Sequence, residues 1–207
     1  MHRHTKNVTT QGKPLEQAKK AMIMVHGRGA SPASILEVAG LLPVEDFALL
    51  APAAAANTWY PYSFMAPIPD NEPGLSTALG VLDQVVQDVA EAGISYENLY
   101  FLGFSQGACL TAEYLARHGR RYGGAFILSG GVIGPQVDRS HYAGDFAGTP
   151  ILLGCSDVDA HVPLPRVQET TAIFREMGAE VDERIYPNGP HTIFKDEIEG
   201  IRAILGG

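Results

Sequence analysis

Cysteine and basic residues are scarce in this chain of 207 residues, and long apolar runs are missing. The two cysteines, Cys109 and Cys155, sit in apolar surroundings without metal-ligand spacing. That excludes a disulfide framework and reads both as buried, reduced thiols. Fifteen Lys and Arg stand against 23 Asp and Glu, for a formal net charge of −8. With no Lys/Arg cluster to offset it, this balance excludes a nucleic-acid partner. No apolar run reaches the length of a membrane span. The polar start, Met1-His2-Arg3-His4-Thr5-Lys6, lacks the apolar core of a signal peptide. The expectation is a soluble cytoplasmic protein without stable membrane association. Internal repeats and low-complexity segments are also missing.

What the chain has in quantity is core-forming residues. Hydrophobic types make up 45% of it, which excludes disorder, and its length fits a single domain over 1–207. Residues 1–20 are polar, with Gly12 and Pro14 marking a turn, and are expected to form a short edge hairpin. Apolar runs at 21–25, 47–52, 99–104, 124–129 and 150–154 read as buried strands. Residues 179–186 alternate Val181 and Ile185 with charges, as a strand near a sheet edge does. Helical spacing predicts helices near 32–42, over 75–92 and after Ser105 to about His118. Further helices are expected over 164–177 and from His191 to about Leu205. Apolar strands alternating with helices give a mostly parallel central sheet covered on both faces. Such sheets place their sites at the carboxyl ends of the strands. The loops at His26, Ser105, Asp157 and His191 all come directly after strands, so they share one edge.

The chain is organised around Leu99–Leu110, where an apolar strand ends in Gly103-Phe104-Ser105-Gln106-Gly107 and an Ala/Leu-rich helix begins. In that context Gly-x-Ser-x-Gly is a nucleophile elbow. A serine at so sharp a turn sits in strained backbone, and glycines two residues away on either side remove collisions with strand and helix. The helix that starts after Ser105 points its amides at developing negative charge.

A serine hydroxyl needs a base, and the base needs an orienting carboxylate. His118 lies among Arg117, Arg120 and Arg121 and reads as surface. His141 lies in a polar irregular segment. His161 reads as a loop residue near the mouth of the site. His191 comes after a strand and a tight turn and is the favoured base. Asp157 and Asp159 both come after the 150–154 strand; Asp159, where the loop turns into the next helix, is favoured. Amide donors for an oxyanion are expected from Gln106 and, by position in the His26-Gly27-Arg28-Gly29 loop, from Arg28. The Arg28 guanidinium is expected to be a surface charge and His26 to hold the loop. Trp59, Tyr60 and Phe64, in the irregular stretch 53–73, are expected along the substrate pocket, the alternative being loop anchors on the core. The chemistry calls for no metal and no organic cofactor. An apolar surface strip would suit a weak homodimer.

These residues carry a family resemblance. His26-Gly27-Arg28-Gly29-Ala30-Ser31, Asn57-Thr58-Trp59-Tyr60-Pro61, Gly103-Phe104-Ser105-Gln106-Gly107-Ala108, Leu128-Ser129-Gly130-Gly131 and Asp157-x-Asp159-x-x-Val162-Pro163 resemble the phospholipase/carboxylesterase family. That is the α/β-hydrolase group without a cap domain which includes the acyl-protein thioesterases. The resemblance runs over nearly the whole chain, in order. It implies an α/β-hydrolase fold, with Ser105, Asp159 and His191 as triad and the Arg28 loop amide in the oxyanion hole. The thioesterases carry leucine where this chain has Arg28, which counts against a long acyl-protein substrate. The Trp-Tyr-Pro segment is closer to the small bacterial esterases. The short start implies that the first strands of the full fold are reduced. Related dienelactone hydrolases use a cysteine nucleophile, where this elbow has serine. The expectation is a serine carboxylesterase for short-chain or small soluble esters. The alternatives are an acyl thioesterase or lysophospholipase on the same triad and, remotely, a non-catalytic binding protein, which would require a broken triad.

Overall fold

Short apolar runs bounded by Gly, Pro or Asn extend into strands because burial on both faces rewards them and their length does not suit a helix. The computed structural model describes residues 2–206. Its strands are β1 (Val8–Gly12), β2 (Lys20–Val25), β3 (Phe47–Pro52), β4 (Leu99–Phe104), β5 (Gly124–Leu128), β6 (Pro150–Ser156) and β7 (Glu180–Tyr186). They form one seven-stranded sheet in the order β1-β3-β2-β4-β5-β6-β7. Only β1 runs antiparallel to its neighbour.

Six α-helices are described: α1 (Pro32–Leu36), α2 (Ile68–Asn71), α3 (Gly74–Glu91), α4 (Gln106–Arg117), α5 (Leu164–Glu176) and α6 (Lys195–Leu205). The pleat sorts β2 between two cores. Ala21, Ile23 and Val25 face the layer built with α3, α4 and α5. Met22 and Met24 face the layer built with α1 and α6. Phe101 and Phe126, on adjacent strands, are fully buried on opposite faces. Burial of one such side chain is worth about 1.5–3 kcal/mol.

Three local expectations are corrected. Residues 8–12 form an edge strand but no hairpin with β2. Both sides of β2 are taken by β3 and β4, so β1 pairs across sequence with β3, Val8 opposite Pro52. The helix expected near 32–42 stops at Leu36 and tightens into a 3-10 turn over Glu37–Leu41, since Val38 and Gly40 are weak helix formers and Pro43 blocks continuation. The last helix starts at Lys195 and not at His191. The Phe194 main-chain N–H donates to Glu197 Oε2 at 2.7 Å, which fixes the helix start four residues past His191 and leaves that residue in a bend.

The carboxyl ends of β2, β4, β6 and β7 lie along one edge, as parallel strands require. That edge carries the loops beginning at His26, Ser105, Asp157 and Pro187. The long segment 53–73 packs over it.

Candidate active site

The strand β4 passes into α4 through Ser105, whose backbone sits at φ 55°, ψ −121°. That is a positive-φ conformation of the kind that costs a non-glycine residue about 1–3 kcal/mol. Its neighbours explain how the turn closes. A Cβ on Gly103 would lie 2.6 Å from the Gly107 carbonyl oxygen, and one on Gly107 would overlap the Val25 carbonyl. The Ser105 amide donates to the Leu128 carbonyl at 2.9 Å, so β5 braces the turn.

Three side chains from three loops meet here. His191 Nε2 lies 2.9 Å from Ser105 Oγ, and His191 Nδ1 lies 2.6 Å from Asp159 Oδ2. An ionised carboxylate only accepts, so Nδ1 donates to it and Nε2 of the neutral ring is left to accept from the serine hydroxyl. The second Asp159 oxygen accepts the amides of His161 and Val162 at 2.8 and 3.0 Å. Burial pushes the Asp159 carboxyl up, but hydrogen bonds from His191 and these two amides outweigh it and hold it below the usual carboxylate value. The His191 ring packs on Phe104, with centroids 5.2 Å apart, and meets the edge of His161 at 5.0 Å.

Asp157 serves the turn ahead of His191. Its Oδ1 accepts the Asn188 amide at 2.7 Å, while Ser156 Oγ donates to the Gly189 carbonyl at 2.7 Å. Two residues of the β6 end thus hold 187–190, with Asn188 at φ 53°.

Opposite the serine lies the loop after β2. Gly29, at φ 74°, donates its amide to the Asn57 carbonyl at 2.7 Å. His26 is buried; its Nδ1 donates to the Gly27 carbonyl and its Nε2 accepts the Ala54 amide, at 2.8 and 3.2 Å. Burial lowers its pKa, in keeping with a neutral ring that donates once and accepts once. The main-chain N–H groups of Arg28 and Gln106 have no hydrogen-bond partner among the described residues. Gln106 opens α4, where the first amides have no acceptor within the helix.

A cleft of about 650 Å³ lies against Ser105 and His191. Tyr60, Phe64, Phe104, Cys109 and Val162 supply apolar wall. Trp59 does not line it. Its indole is fully buried behind the wall, donating Nε1–H to the His26 carbonyl at 2.8 Å and packing on the rings of His26 and His4. The aromatic trio therefore divides: Tyr60 and Phe64 face the cleft, and Trp59 is an anchor. His161 reaches the mouth, as expected; His118 and His141 lie away from the cleft.

Several supports are not legible in local pattern. The Gln106 carboxamide clamps the Trp59-Tyr60 segment. The Arg28 guanidinium, expected as a plain surface charge, donates to the Pro61 and Tyr62 carbonyls at 2.9 and 2.6 Å. His4 bridges the Ala55 amide and the Trp59 carbonyl. Buried Arg166 donates to the Val132 and Gly134 carbonyls, and buried Glu113 accepts from the Ile133 amide and the Tyr142 hydroxyl. A signal exists for the last two: at helical spacing, Arg166 falls in line with Thr170 and Ile173, and Glu113 with Cys109 and Ala116, all buried. A charge on a buried helical face needs partners. Among the described residues no group of three His, Cys, Asp or Glu is placed to hold a metal ion.

A sequence model of the family described as Phospholipase/Carboxylesterase matches residues 7–206. Carboxylesterase SOBER1 of Arabidopsis thaliana is 27% identical over 155 residues, 72% of this chain and 67% of that protein. Acyl-protein thioesterase 1 of Saccharomyces cerevisiae is 26% identical over 135 residues, 64% of this chain and 59% of that protein. The chain spans about half to two thirds of the length of such curated relatives. A crystal structure of a phospholipase/carboxylesterase from Dyadobacter fermentans DSM 18053 superimposes with a TM-score of 0.97, at 45% identity, over 99% of each chain.

Proposed function

The chain belongs to the phospholipase/carboxylesterase family, with an α/β-hydrolase fold, and from that premise we propose that it is a serine carboxylesterase acting on short or small soluble esters. The observation that carries the reading is the relay Asp159–His191–Ser105, with hydrogen-bond distances of 2.6 and 2.9 Å, in a cleft also lined by Arg28 and Gln106, whose main-chain N–H groups have no partner among the described residues.

In this reading His191 Nε2 takes the Ser105 proton as Oγ bonds to the acyl carbon. Asp159 holds the imidazole tautomer and stabilises the imidazolium. The carbonyl electrons move onto oxygen, where the Arg28 and Gln106 amides stabilise the charge, each worth about 3 kcal/mol of barrier. Collapse breaks the bond to the alcohol oxygen, which leaves with the proton from His191. Water then attacks the acyl-enzyme with His191 again as base, releasing the carboxylic acid and restoring the Ser105 hydroxyl. Nucleophile, base and charge stabilisation all come from the chain itself. The apolar wall of Tyr60, Phe64, Cys109 and Val162 suits a small acyl group. The buried free cysteines suit a reducing cytoplasm, and no described helix is long and apolar enough to cross a membrane.

Hydrolysis of 4-nitrophenyl esters of increasing acyl length by wild type and Ser105→Ala tests the proposal. Short esters turned over by wild type and not by the variant are expected. Rates that rise with chain length would redirect the assignment to lipid or acyl-protein substrates. Faster turnover of a matched thioester would favour a thioesterase. Equal rates in both proteins would remove Ser105 from the mechanism.

A further inference from the structure

The charge of the cleft departs from the charge of the chain. The protein carries a formal −8, yet the residues lining the cleft include one guanidinium, Arg28, two imidazoles, His161 and His191, and no carboxylate. Asp159 stands behind His191, its carboxylate buried. Arg28 itself is exposed, and among the described residues no carboxylate lies within salt-bridge distance of it. Other exposed arginines, Arg121, Arg175 and Arg202, likewise donate to main-chain carbonyls without a carboxylate partner among the described residues. Arg28 differs in lining the cleft, where it is tied to main-chain carbonyls and keeps its charge uncompensated.

Those ties fix the guanidinium at the rim. Nη1 donates to the Pro61 carbonyl at 2.9 Å and to Thr58 Oγ1 at 3.3 Å, and Nη2 donates to the Tyr62 carbonyl at 2.6 Å. The group also lies over the Tyr60 ring, 6.0 Å from its centroid. Of five N–H donors, three are used; the Nε hydrogen and one Nη2 hydrogen remain without partners among the described residues. Two donors on a planar, always-charged group are what the two oxygens of a carboxylate take. The side-chain freedom that arginine ordinarily loses on binding is already lost to the loop contacts. The chain position matters as well: the same residue offers its main-chain N–H to the reaction centre and its side chain to the cleft, so a substrate gripped by both is gripped close to the scissile bond.

Resting on the carboxylesterase reading, the geometry points to a substrate that is itself anionic: an ester bearing a free carboxylate, held by the Arg28 guanidinium at the cleft rim while its neutral ester group reacts at Ser105. Arg28 is then a specificity-determining residue through its side chain. The carboxylate is not part of the chemistry and is released unchanged on the product.

The test compares mono(4-nitrophenyl) glutarate with 4-nitrophenyl pentanoate, a neutral ester of equal acyl length. Wild type is expected to favour the anionic ester in kcat/KM by about tenfold, and the preference should shrink in 0.5 M NaCl while the neutral ester is unaffected. Arg28→Gln should bring the ratio to one or below. Arg28→Lys should keep part of the preference, which a purely structural loss of the loop strap would not allow. The ratio, not the absolute rate, is the readout, because either variant also alters the contacts to Pro61 and Tyr62. A wild-type ratio of one or less, or a ratio unchanged in Arg28→Gln, overturns the inference while leaving the esterase reading intact. If neither ester turns over, the esterase reading fails. Calorimetric binding of monomethyl glutarate to Ser105→Ala, with and without Arg28→Gln, then decides the matter: about tenfold tighter binding with Arg28 supports the anion site, and equal binding overturns it.

Discussion

The Trp59 main-chain N–H donates to Gln106 Oε1 at 2.9 Å, and the Gln106 carboxamide nitrogen returns the bond to the Tyr60 carbonyl at 2.8 Å. One residue thus offers its main-chain N–H to the proposed oxyanion hole and uses its side chain to fix the loop that walls the cleft, 46 residues earlier in the chain. Gln106→Glu keeps the acceptor but sets a carboxylate oxygen against the Tyr60 carbonyl. It should lower kcat/KM on a short ester by roughly 10- to 100-fold and stability by about 1–3 kcal/mol. Steady-state kinetics and urea denaturation measure both.

The two aspartates after β6 separate by role. Asp159→Asn removes the acceptor that sets the His191 tautomer and should lower kcat by about 10³- to 10⁴-fold with little change in fold. Asp157→Asn weakens only the brace on the Asn188 turn, and a loss under about tenfold is expected. Equal losses in the two variants would refute the division.

Glu197 should make stability fall with pH. It is fully buried in the first turn of α6, and one carboxyl oxygen has no hydrogen-bond partner among the described residues. Burial raises its pKa from the ordinary 4.5 to about 7. The unfolded chain releases this proton near pH 4.5 while the folded protein holds it to about pH 7. The folded state therefore binds more protons in between, and rising pH favours unfolding. The contribution is complete below pH 4.5, is lost by about pH 7 and is flat above, with a span of about 3 kcal/mol. Glu197→Gln retains an acceptor for the Phe194 amide, so its denaturation midpoints between about pH 4.5 and 7.5 should lack this component of the slope.

Gly107→Ala sets a methyl group against the Val25 carbonyl, with the His26 carbonyl close behind. Backbone, not a flexible side chain, must give way. A loss of about 3 kcal/mol is expected, read as a lowered thermal midpoint. Gly80→Ala, inside α3 with open space for the added methyl, is the contrasting control and should gain about 0.5–1 kcal/mol.

The legible part of this molecule is the part whose cause is local. The elbow is readable because strand, glycines, serine and helix are contiguous, and the sheet because two-sided burial writes itself as apolar runs. Asp159 is favoured over Asp157 partly by its place where the loop turns into α5 and partly by the family resemblance of the Asp159-x-x-Val162-Pro163 stretch, and the hydrogen bonds set it against His191. The features that escape such reading are choices made across the chain. The pairing of β1 with β3 depends on β2 being flanked on both sides. The Trp59 indole turns inward, where the His26 carbonyl accepts a hydrogen bond from its N–H. His4, Gln106 and Arg28 each bind main chain dozens of residues away, and carbonyls leave no trace in a sequence.

The bare contact between Gly107 and the end of β2 has a consequence for how such an enzyme can diversify. The loop carrying the Arg28 amide and the helix carrying the Gln106 amide are held at a fixed spacing by main chain pressed on main chain. No exchange of side chains elsewhere resets that spacing. The segment 58–64, fastened through carboxamide and guanidinium groups, has no such restriction. Descendants of this chain are free to try new side chains along the cleft wall and acquire new substrates, while the two amides stay in register.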